Sequence, residues 1–199
     1  DPWLVKDLHA ELKSWRRPGG GDNRLIVKSD VESPIVAVRE ALARKHGGTI
    51  SPEQPPKGEH ASNGVVEEAG KTIRGMAKVL KFQWETRLGR SLRMKEPIMH
   101  WLVRWSAMAL SRFQVGKDRK TAYQRQMGKP CKVEVGPFGE KRWYRKSPET
   151  GPKKAMESKW EESLWLGHSR NSNEIRVGNK DGITKAWAIR RRPLEERWE

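Results

Sequence analysis

One carboxylate followed by three cations at helical spacing is the feature of this sequence best suited to chemistry. Glu67 is followed by Lys71, Arg74 and Lys78, at steps of four, three and four residues. Because side chains three or four positions apart lie on one face of an α-helix, these groups are predicted to form a row on a helix surface. The row has two interpretations. It is either a solvated face with an ion pair between Glu67 and Lys71, or a site that holds an anionic ligand beside a carboxylate.

A second carboxylate lies upstream, at the end of a predicted strand. Residues 25–30 are predicted to form a short buried strand that ends in Asp30, and Ser33 and Pro34 are predicted to cap the helix that follows. A carboxylate at the carboxyl end of a strand and another in the first turn of a basic helix can share a divalent cation. Asp30 and Glu67 are therefore candidate metal ligands.

The helix that carries the row is predicted from the apolar residues on its other side. These recur at steps of three and four and are Val65, Ala69, Ile73, Met76, Leu80, Trp84 and Leu88. Ser62 and Asn63 offer N-cap side chains at its start. Gly70 and Gly75 each cost about 1 kcal/mol relative to Ala, and they either permit close approach of a DNA backbone or packing neighbour or are simply tolerated.

The rest of the first two thirds is predicted to alternate helices with strands. Helices are expected at residues 1–15, 34–46, 97–113 and 121–127, a strand at 49–51, and a loop at 52–62. The helix at 97–113 is apolar around much of its circumference, which is typical of a core helix. This order predicts an α/β layer.

From residue 131 onward the pattern favours strands. Apolar residues alternate with charged ones at 132–146, 163–170 and 174–192, with a hairpin turn predicted at 179–182 and a connector at 147–159. Arg190, Arg191 and Arg192 near the end either contact phosphates or are simply solvated. The segment is predicted to be a small β-rich module.

Charge favours a polyanionic partner. The chain has 199 residues and a net charge of +16, divided as zero over residues 1–67, +11 over 68–130 and +5 over 131–199. The positive charge thus begins directly after Glu67, where a phosphate-binding site would need it. An acidic membrane surface is the competing partner, but no apolar run approaches a membrane span and no signal peptide is visible. The single cysteine, Cys131, suits a reducing compartment.

Six blocks of the sequence, in order, resemble the integrase region of LTR retrotransposon polyproteins of the copia-like, retrovirus-related type. They are residues 28–30, 63–67, 97–104, 120–130, 138–140 and 163–167. The first two resemble the second and third acids of the DDE motif, and the 37 positions between Asp30 and Glu67 are close to the separation in the family. The ordered set of blocks is more specific than the two acids alone.

The resemblance implies an α/β fold with a truncated ribonuclease-H-like integrase core at residues 1–130, followed by a small β-rich C-terminal module at residues 131–199. It implies DNA integration by metal-dependent polynucleotidyl transfer, which joins retrotransposon DNA ends to target DNA. Asp30 and Glu67 would be the catalytic acids and would bind Mg²⁺ or Mn²⁺. The positions four and seven after the third acid contact donor DNA in the family, which assigns Lys71 and Arg74, and Lys78 extends the same face.

The resemblance also implies DNA as the partner, no membrane association, and an intracellular location in the nucleus or in a cytoplasmic particle. The resemblance does not decide whether the protein forms a homo-oligomer. The first acid of the family has no counterpart here on a strand, since Asp7 falls in a helical stripe and Asp22 in a turn. We therefore expect a fragment that begins after the first catalytic Asp, or a decayed copy, that is inactive in isolation.

Two alternatives stay open from the sequence. The first is a non-catalytic nucleic-acid-binding protein on a decayed integrase scaffold. The second is a basic RNA-binding protein unrelated to integrases, in which Asp30 and Glu67 would lie far apart.

Overall fold

The chain is mixed α/β and divides into two compact units. The computed structural model describes residues 2–14, 25–29, 31–46, 50–53, 64–145, 158–170 and 172–198. The N-terminal unit comprises residues 1–72 and 123–129, and the C-terminal unit comprises residues 73–122 and 130–199. The elements in chain order are α1 (Pro2–Ser14), β1 (Leu25–Lys28), α2 (Ser33–Lys45), β2 (Ile50–Glu53), α3 (Gly64–Leu88), α4 (Ile98–Phe113), α5 (Ala122–Met127), β3 (Lys141–Arg145), β4 (Trp160–His168), β5 (Ile175–Asn179), β6 (Gly182–Ala186) and β7 (Ala188–Arg191).

The N-terminal unit is built on a β–α–β connection. Strands β1 and β2 pair in parallel, with Leu25 opposite Ile50 and Lys28 opposite Glu53. Two parallel strands need a crossover, and α2 supplies it. Helix α1 packs on α2, where His9 and His46 meet edge to face with ring centroids 5.9 Å apart.

Three expectations for this unit were wrong in detail. Strand β1 is not buried on both faces, since Ile26 is 60% exposed. The described sheet has only two strands and leaves one face of β1 open. The N-cap of α2 is Glu32, which makes no side-chain capping hydrogen bond, and Ser33 lies within the helix. The predicted loop at 52–62 begins later than expected, because β2 continues to Glu53, and residues 54–63 lie outside the described part of the chain.

The C-terminal unit buries aromatic residues from its helices against its sheet. Trp105 of α4 meets Trp165 of β4 edge to face at 4.9 Å, and Trp84 of α3 meets Phe138 in the same manner at 5.5 Å. Leu102, which lies between Trp84 and Trp105 in the sequence, is fully buried and belongs to the same hydrophobic cluster. The prediction that the helix at 97–113 is a core helix is therefore confirmed.

The sheet of this unit is a five-stranded antiparallel meander whose last strand returns beside the first. Its order is β6-β5-β4-β3-β7. Pairing places Trp143 of β3 opposite Glu162 of β4 on one side and Arg190 of β7 on the other. These three side chains therefore project from the same face of the sheet.

Two glycines allow the backbone to approach tryptophan rings. Gly139 has φ +79° and Gly167 has φ +97°, a region that other residues rarely adopt. A Cβ atom on Gly139 would overlap the Trp84 ring, and one on Gly167 would overlap the Trp105 ring. Both positions therefore require glycine for conformation and for space.

The strand-rich module differs from its prediction at its start. Of the predicted strand region at 132–146, only Lys141–Arg145 is a strand, and residues 131–140 are irregular. One hydrophobic core joins α3 and α4 to strands that follow residue 130. The division into residues 1–130 and 131–199, and the ribonuclease-H-like identity of the first part, remain predictions. Among the described helices, none combines the length and apolar character that crossing a membrane demands.

Candidate nucleic-acid interface on helix α3

Helix α3 carries four of the five residues predicted to form a functional site. It runs for 25 residues from Gly64 to Leu88, as the apolar spacing predicted. Trp84 is buried, whereas Val65 is 85% exposed. The predicted inward stripe therefore holds only from Ile73 onward. The predicted caps at positions 62 and 63 lie outside the described residues.

The predicted row is on the surface. Glu67 lies in the first turn of α3, where the helix dipole favours a carboxylate, and it is exposed. Lys71, Arg74 and Lys78 are exposed as well. Glu67 and Lys71 belong to the N-terminal unit, and Arg74 and Lys78 belong to the C-terminal unit.

The cations of the row have no carboxylate partner within the described part of the chain. The Glu67–Lys71 ion pair of the solvated interpretation does not form, and neither Arg74 nor Lys78 lies within ion-pair distance of a described carboxylate. Three positive groups on the surface without compensating acids are an electrostatic footprint typical of phosphate binding.

The next cation of the helix behaves differently. Lys81 forms an ion pair with Glu85, and the same carboxylate accepts a hydrogen bond of 2.6 Å from the backbone N–H of Leu92. The hydrogen bond from Lys81, followed by that from Leu92, lowers the pKa of Glu85. Glu85 therefore links α3 to the segment after it, and Lys81, which is paired with Glu85, differs from the open row before it.

Asp30, the fifth predicted residue, lies outside the described residues. Its neighbour Ser29 follows β1 directly. The Ser29 hydroxyl accepts a hydrogen bond of 3.2 Å from Arg39, and its backbone N–H donates one of 3.2 Å to Glu53. Strand β1 therefore ends at Lys28, two residues short of the predicted strand end at Asp30. The approach of Asp30 to Glu67 stays a prediction.

The metal site also stays a prediction. Among the residues that the structure describes, no group of three or more His, Cys, Asp or Glu side chains could hold a metal ion. The chemistry of the predicted pair fits Mg²⁺ or Mn²⁺, since Glu67 is an exposed hard-oxygen donor and Asp30 would supply another.

The arginines of β7 do not form the phosphate-binding cluster that their sequence allowed, and they are not simply solvated. Arg191 lies 3.4 Å from the carboxylate of Glu140, and Arg192 lies 3.0 Å from that of Glu162. Arg190 stacks over the Trp160 ring at 4.6 Å. Each guanidinium thus has a partner within the fold.

Arginine–tryptophan stacking was missed from the sequence, which shows ten tryptophans and many arginines but not which of them meet. Among the described residues of the C-terminal unit, six arginines lie over tryptophan rings, at 4.5–5.6 Å from the ring centroid, where a cation is favourable. Only Arg104 and Trp101 of these pairs are close in the sequence, so local spacing does not predict the partners. Much of the positive charge of this unit is therefore structural.

A buried ion pair was also missed. Glu140 and Arg142 are each 1% exposed, and Arg142 Nε donates a hydrogen bond of 2.7 Å to Glu140. Arg191 and Arg197 add two further cations, 3.4 and 3.6 Å from the same carboxylate. A Cβ atom on Gly136 would overlap the Arg142 guanidinium. The available signal was an acid two positions before an arginine, at the point where β3 begins.

His168 is buried but is not a candidate catalyst. It is 5% exposed and packs against Trp165 and Trp105, at ring distances of 5.7 and 6.2 Å. Burial lowers the pKa of His168 to about 4, and the Arg112 and Arg142 charges add to the effect. The imidazole is therefore neutral near pH 7 and serves the core.

A groove of about 1350 Å³ opens beside the sheet of the C-terminal unit. Tryptophans line it, and its charged lining residues are balanced, with four cations and four carboxylates. They are Arg90, Lys141, Lys180 and Arg197, and Glu96, Glu161, Glu162 and Asp181. A groove with balanced charges has no electrostatic preference for a polyanion.

Comparison with known proteins does not establish a family. No protein-family model matches the chain, and no curated protein matches it. Among solved structures, the chain is similar to a chain of the cryo-EM structure of a simian T-cell lymphotropic virus intasome in complex with PP2A regulatory subunit B56 gamma. The identity is 15%, the TM-score is 0.38, and the alignment covers 97% of this chain and 64% of that one. This chain thus spans less than two thirds of its neighbour, and such values are too low to establish a shared fold.

Proposed function

We propose that the chain binds DNA through helix α3 and acts in DNA integration, as part of the integrase region of an LTR retrotransposon polyprotein. Lys71, Arg74 and Lys78 contact the phosphates, and Glu67 and Asp30 are the catalytic acids. The observation that carries the proposal is an exposed carboxylate in the first turn of α3, followed by three exposed cations without described acidic partners.

The reaction that fits these residues is an in-line polynucleotidyl transfer. Mg²⁺ or Mn²⁺, when bound, supplies an activated water or DNA 3′-hydroxyl and neutralises charge on the leaving oxygen. Asp30 and Glu67 hold the ion, and the cations of α3 fix the DNA backbone beside it. A ribonuclease-H-like core, a nuclear or particle-associated location and a homo-oligomer are part of the same proposal.

The separate roles proposed for the acids and the cations follow from their charges. A carboxylate repels phosphate, so an acid that works on DNA needs cations close by to offset the repulsion. The steps from Glu67 to Lys71 and Arg74 correspond to about 6 and 10 Å along a helix axis. At that spacing, one DNA strand would contact the cations, and a metal ion held by Glu67 and Asp30 would supply its charge beside the strand.

Titration of Mn²⁺ into the protein in the presence of DNA tests the proposal. Mn²⁺ is expected to strengthen DNA binding at fixed ionic strength, and Asp30→Asn and Glu67→Gln are each expected to abolish that gain. The matched control is Glu32→Gln, because Glu32 is an exposed acid two positions after Asp30 in the sequence. This variant should keep the gain in DNA binding that Mn²⁺ produces. Joining activity, when the family's upstream strand is supplied on the same chain, should likewise be lost in Glu67→Gln.

The competing function is binding without catalysis. It predicts salt-dependent DNA binding that neither chelation nor Asp30→Asn changes. This function would use the same cations of α3, so the cation variants do not separate the two. The response to Mn²⁺ does, and its absence would favour the non-catalytic protein.

A further inference from the structure

The row of exposed groups on α3 does not end at Lys78. Phe82 follows it by four positions, so Arg74, Lys78 and Phe82 continue one ridge at steps of four and four, all within the C-terminal unit. The Phe82 side chain is 70% exposed. On a straight α-helix its Cα lies about 6 Å from that of Lys78 along the axis.

In the described part of the chain, this ring takes no part in the hydrophobic core. The apolar residues of α3 that join the core are on the other side of the helix, with Trp84 only 4% exposed. Phe82 belongs to neither hydrophobic cluster, and no ring contact to it is found among the described residues. A large exposed aromatic side chain also has lower helix propensity than Lys, Glu or Ala, so the position is not explained by helix stability.

We propose that Phe82 stacks on an unpaired base of a single-stranded DNA segment whose phosphates are held by Lys78 and Arg74. This inference rests on the proposed function and names its substrate class, a DNA with unpaired nucleotides rather than a fully paired duplex. Aromatic faces next to cations bind single strands, because every base has a face that can stack while the cations follow the backbone.

The charge of the ridge favours nucleic acid over a second copy of the chain. A self-contact centred on Phe82 would bring two sets of Arg74 and Lys78 toward each other, and like charges across an interface oppose association. A single DNA strand instead brings negative charge to the cations and a flat apolar surface to the ring.

Fluorescence anisotropy with a labelled single strand of about 15 nucleotides, and with the duplex of the same sequence, tests the inference. Phe82→Leu keeps an apolar side chain but removes the aromatic face, and it is expected to weaken single-strand binding roughly 5- to 100-fold. Phe82→Tyr is expected to retain wild-type binding. Binding of the duplex is expected to change less than about 2-fold in either variant, since paired bases offer no face.

Val79 provides the matched control, because it is apolar, 53% exposed and on the neighbouring ridge of the same helix. Val79→Ala is expected to leave single-strand binding unchanged. Thermal denaturation should show nearly the same midpoint for the Phe82 variants, because 70% of the side chain is exposed in the folded protein.

The outcomes separate this inference from the function on which it rests. If Lys78→Ala weakens binding and Phe82→Leu does not, the stacking role is overturned and the DNA-binding function stands. If neither change has an effect, the function fails as well. If Phe82→Leu alters the sedimentation coefficient instead of the binding, the ring belongs to a self-contact and the inference is wrong.

Discussion

The cations of α3 and the arginines of the C-terminal sheet are of similar chemistry but have opposite surroundings. Lys71, Arg74 and Lys78 are exposed and lack described acidic partners. In the sheet, Arg142 is buried on Glu140, and Arg192 bonds Glu162 while stacking over the Trp143 ring at 4.6 Å. The first set is available to a ligand, and the second is part of the fold.

The difference teaches that net charge does not locate a binding surface until its partners are known. Residues 131–199 contain sixteen cations, one more than residues 68–130, but they also contain eleven acids against four. Those acids and the tryptophans engage much of the positive charge of residues 131–199. An exposed cation without a nearby acid is therefore the better guide to a polyanion site.

The largest expected effect is on the buried pair. Arg142→Met leaves the Glu140 carboxylate buried with fewer cations around it, and should lower the free energy of unfolding by about 3–5 kcal/mol. Urea denaturation measures this loss. Lys78→Ala, on the exposed row, should cost less than about 0.5 kcal/mol. Equal losses in the two variants would remove the distinction between structural and available cations.

Replacing both partners of the buried pair tests whether the loss comes from the uncompensated charge. Replacing both partners, Glu140→Leu with Arg142→Met, removes the uncompensated charge and should recover part of the loss seen in Arg142→Met alone. A double variant less stable than the single one would show that Glu140 is held mainly by Arg191 and Arg197, whose nitrogens lie 3.4 and 3.6 Å from it.

The second largest expected effect is a loss of unfolding free energy at acidic pH, caused by His168. The pKa of His168 is about 4 in the folded protein and about 6.5 in an unfolded chain. The unfolded state therefore takes up the proton first, and the protein should lose up to about 3 kcal/mol as the pH falls from 6.5 to 4. Urea denaturation at several pH values measures the slope. His168→Gln should show a shallower loss over that window, and an unchanged slope would assign the acid sensitivity to other groups.

The smallest expected effect is a gain. A Cβ atom on Gly75 would meet nothing within 4 Å, so Gly75→Ala should stabilise α3 by about 0.5–1 kcal/mol. Thermal denaturation measures the gain. The same variant decides between the two interpretations of this glycine. Weakened DNA binding would show that the backbone approaches DNA here, and unchanged binding would show that the glycine is merely tolerated.

The sequence predicted the long helices well, because their period is set by local spacing. Helices α3 and α4 were found within a residue or two of their bounds. Val65 kept the apolar spacing but is exposed, since periodicity shows which side of a helix is apolar and not where its packing partner ends. Strand β1 was predicted to be buried for a similar reason, as a run of apolar residues does not reveal how many faces a sheet has covered.

The sequence predicted which residues of the candidate site share a helix face, but it did not predict which cations of the protein have partners. The spacing of Glu67, Lys71, Arg74 and Lys78 fixes a helical row once the helix is known. The contacts of Arg192 with Glu162 and the Trp143 ring join segments that are distant in the sequence, and no local pattern contains them. Phe82 was not predicted as a site residue, because an apolar residue in a helix is normally assigned to the core. Only its 70% exposure shows that the ring is accessible to a ligand.

The salt dependence of duplex DNA binding tests the central claim most directly. Each phosphate contact contributes about 0.9 to the slope of log K against log salt concentration. The variant with Lys71, Arg74 and Lys78 changed to Ala should therefore lose roughly 2 to 3 from that slope. A control with the exposed Lys95, Lys117 and Lys132 changed to Ala removes the same charge elsewhere and should lose less than about 1. Equal losses in the two variants, or a loss only in the control, would contradict the assignment of the DNA interface to α3.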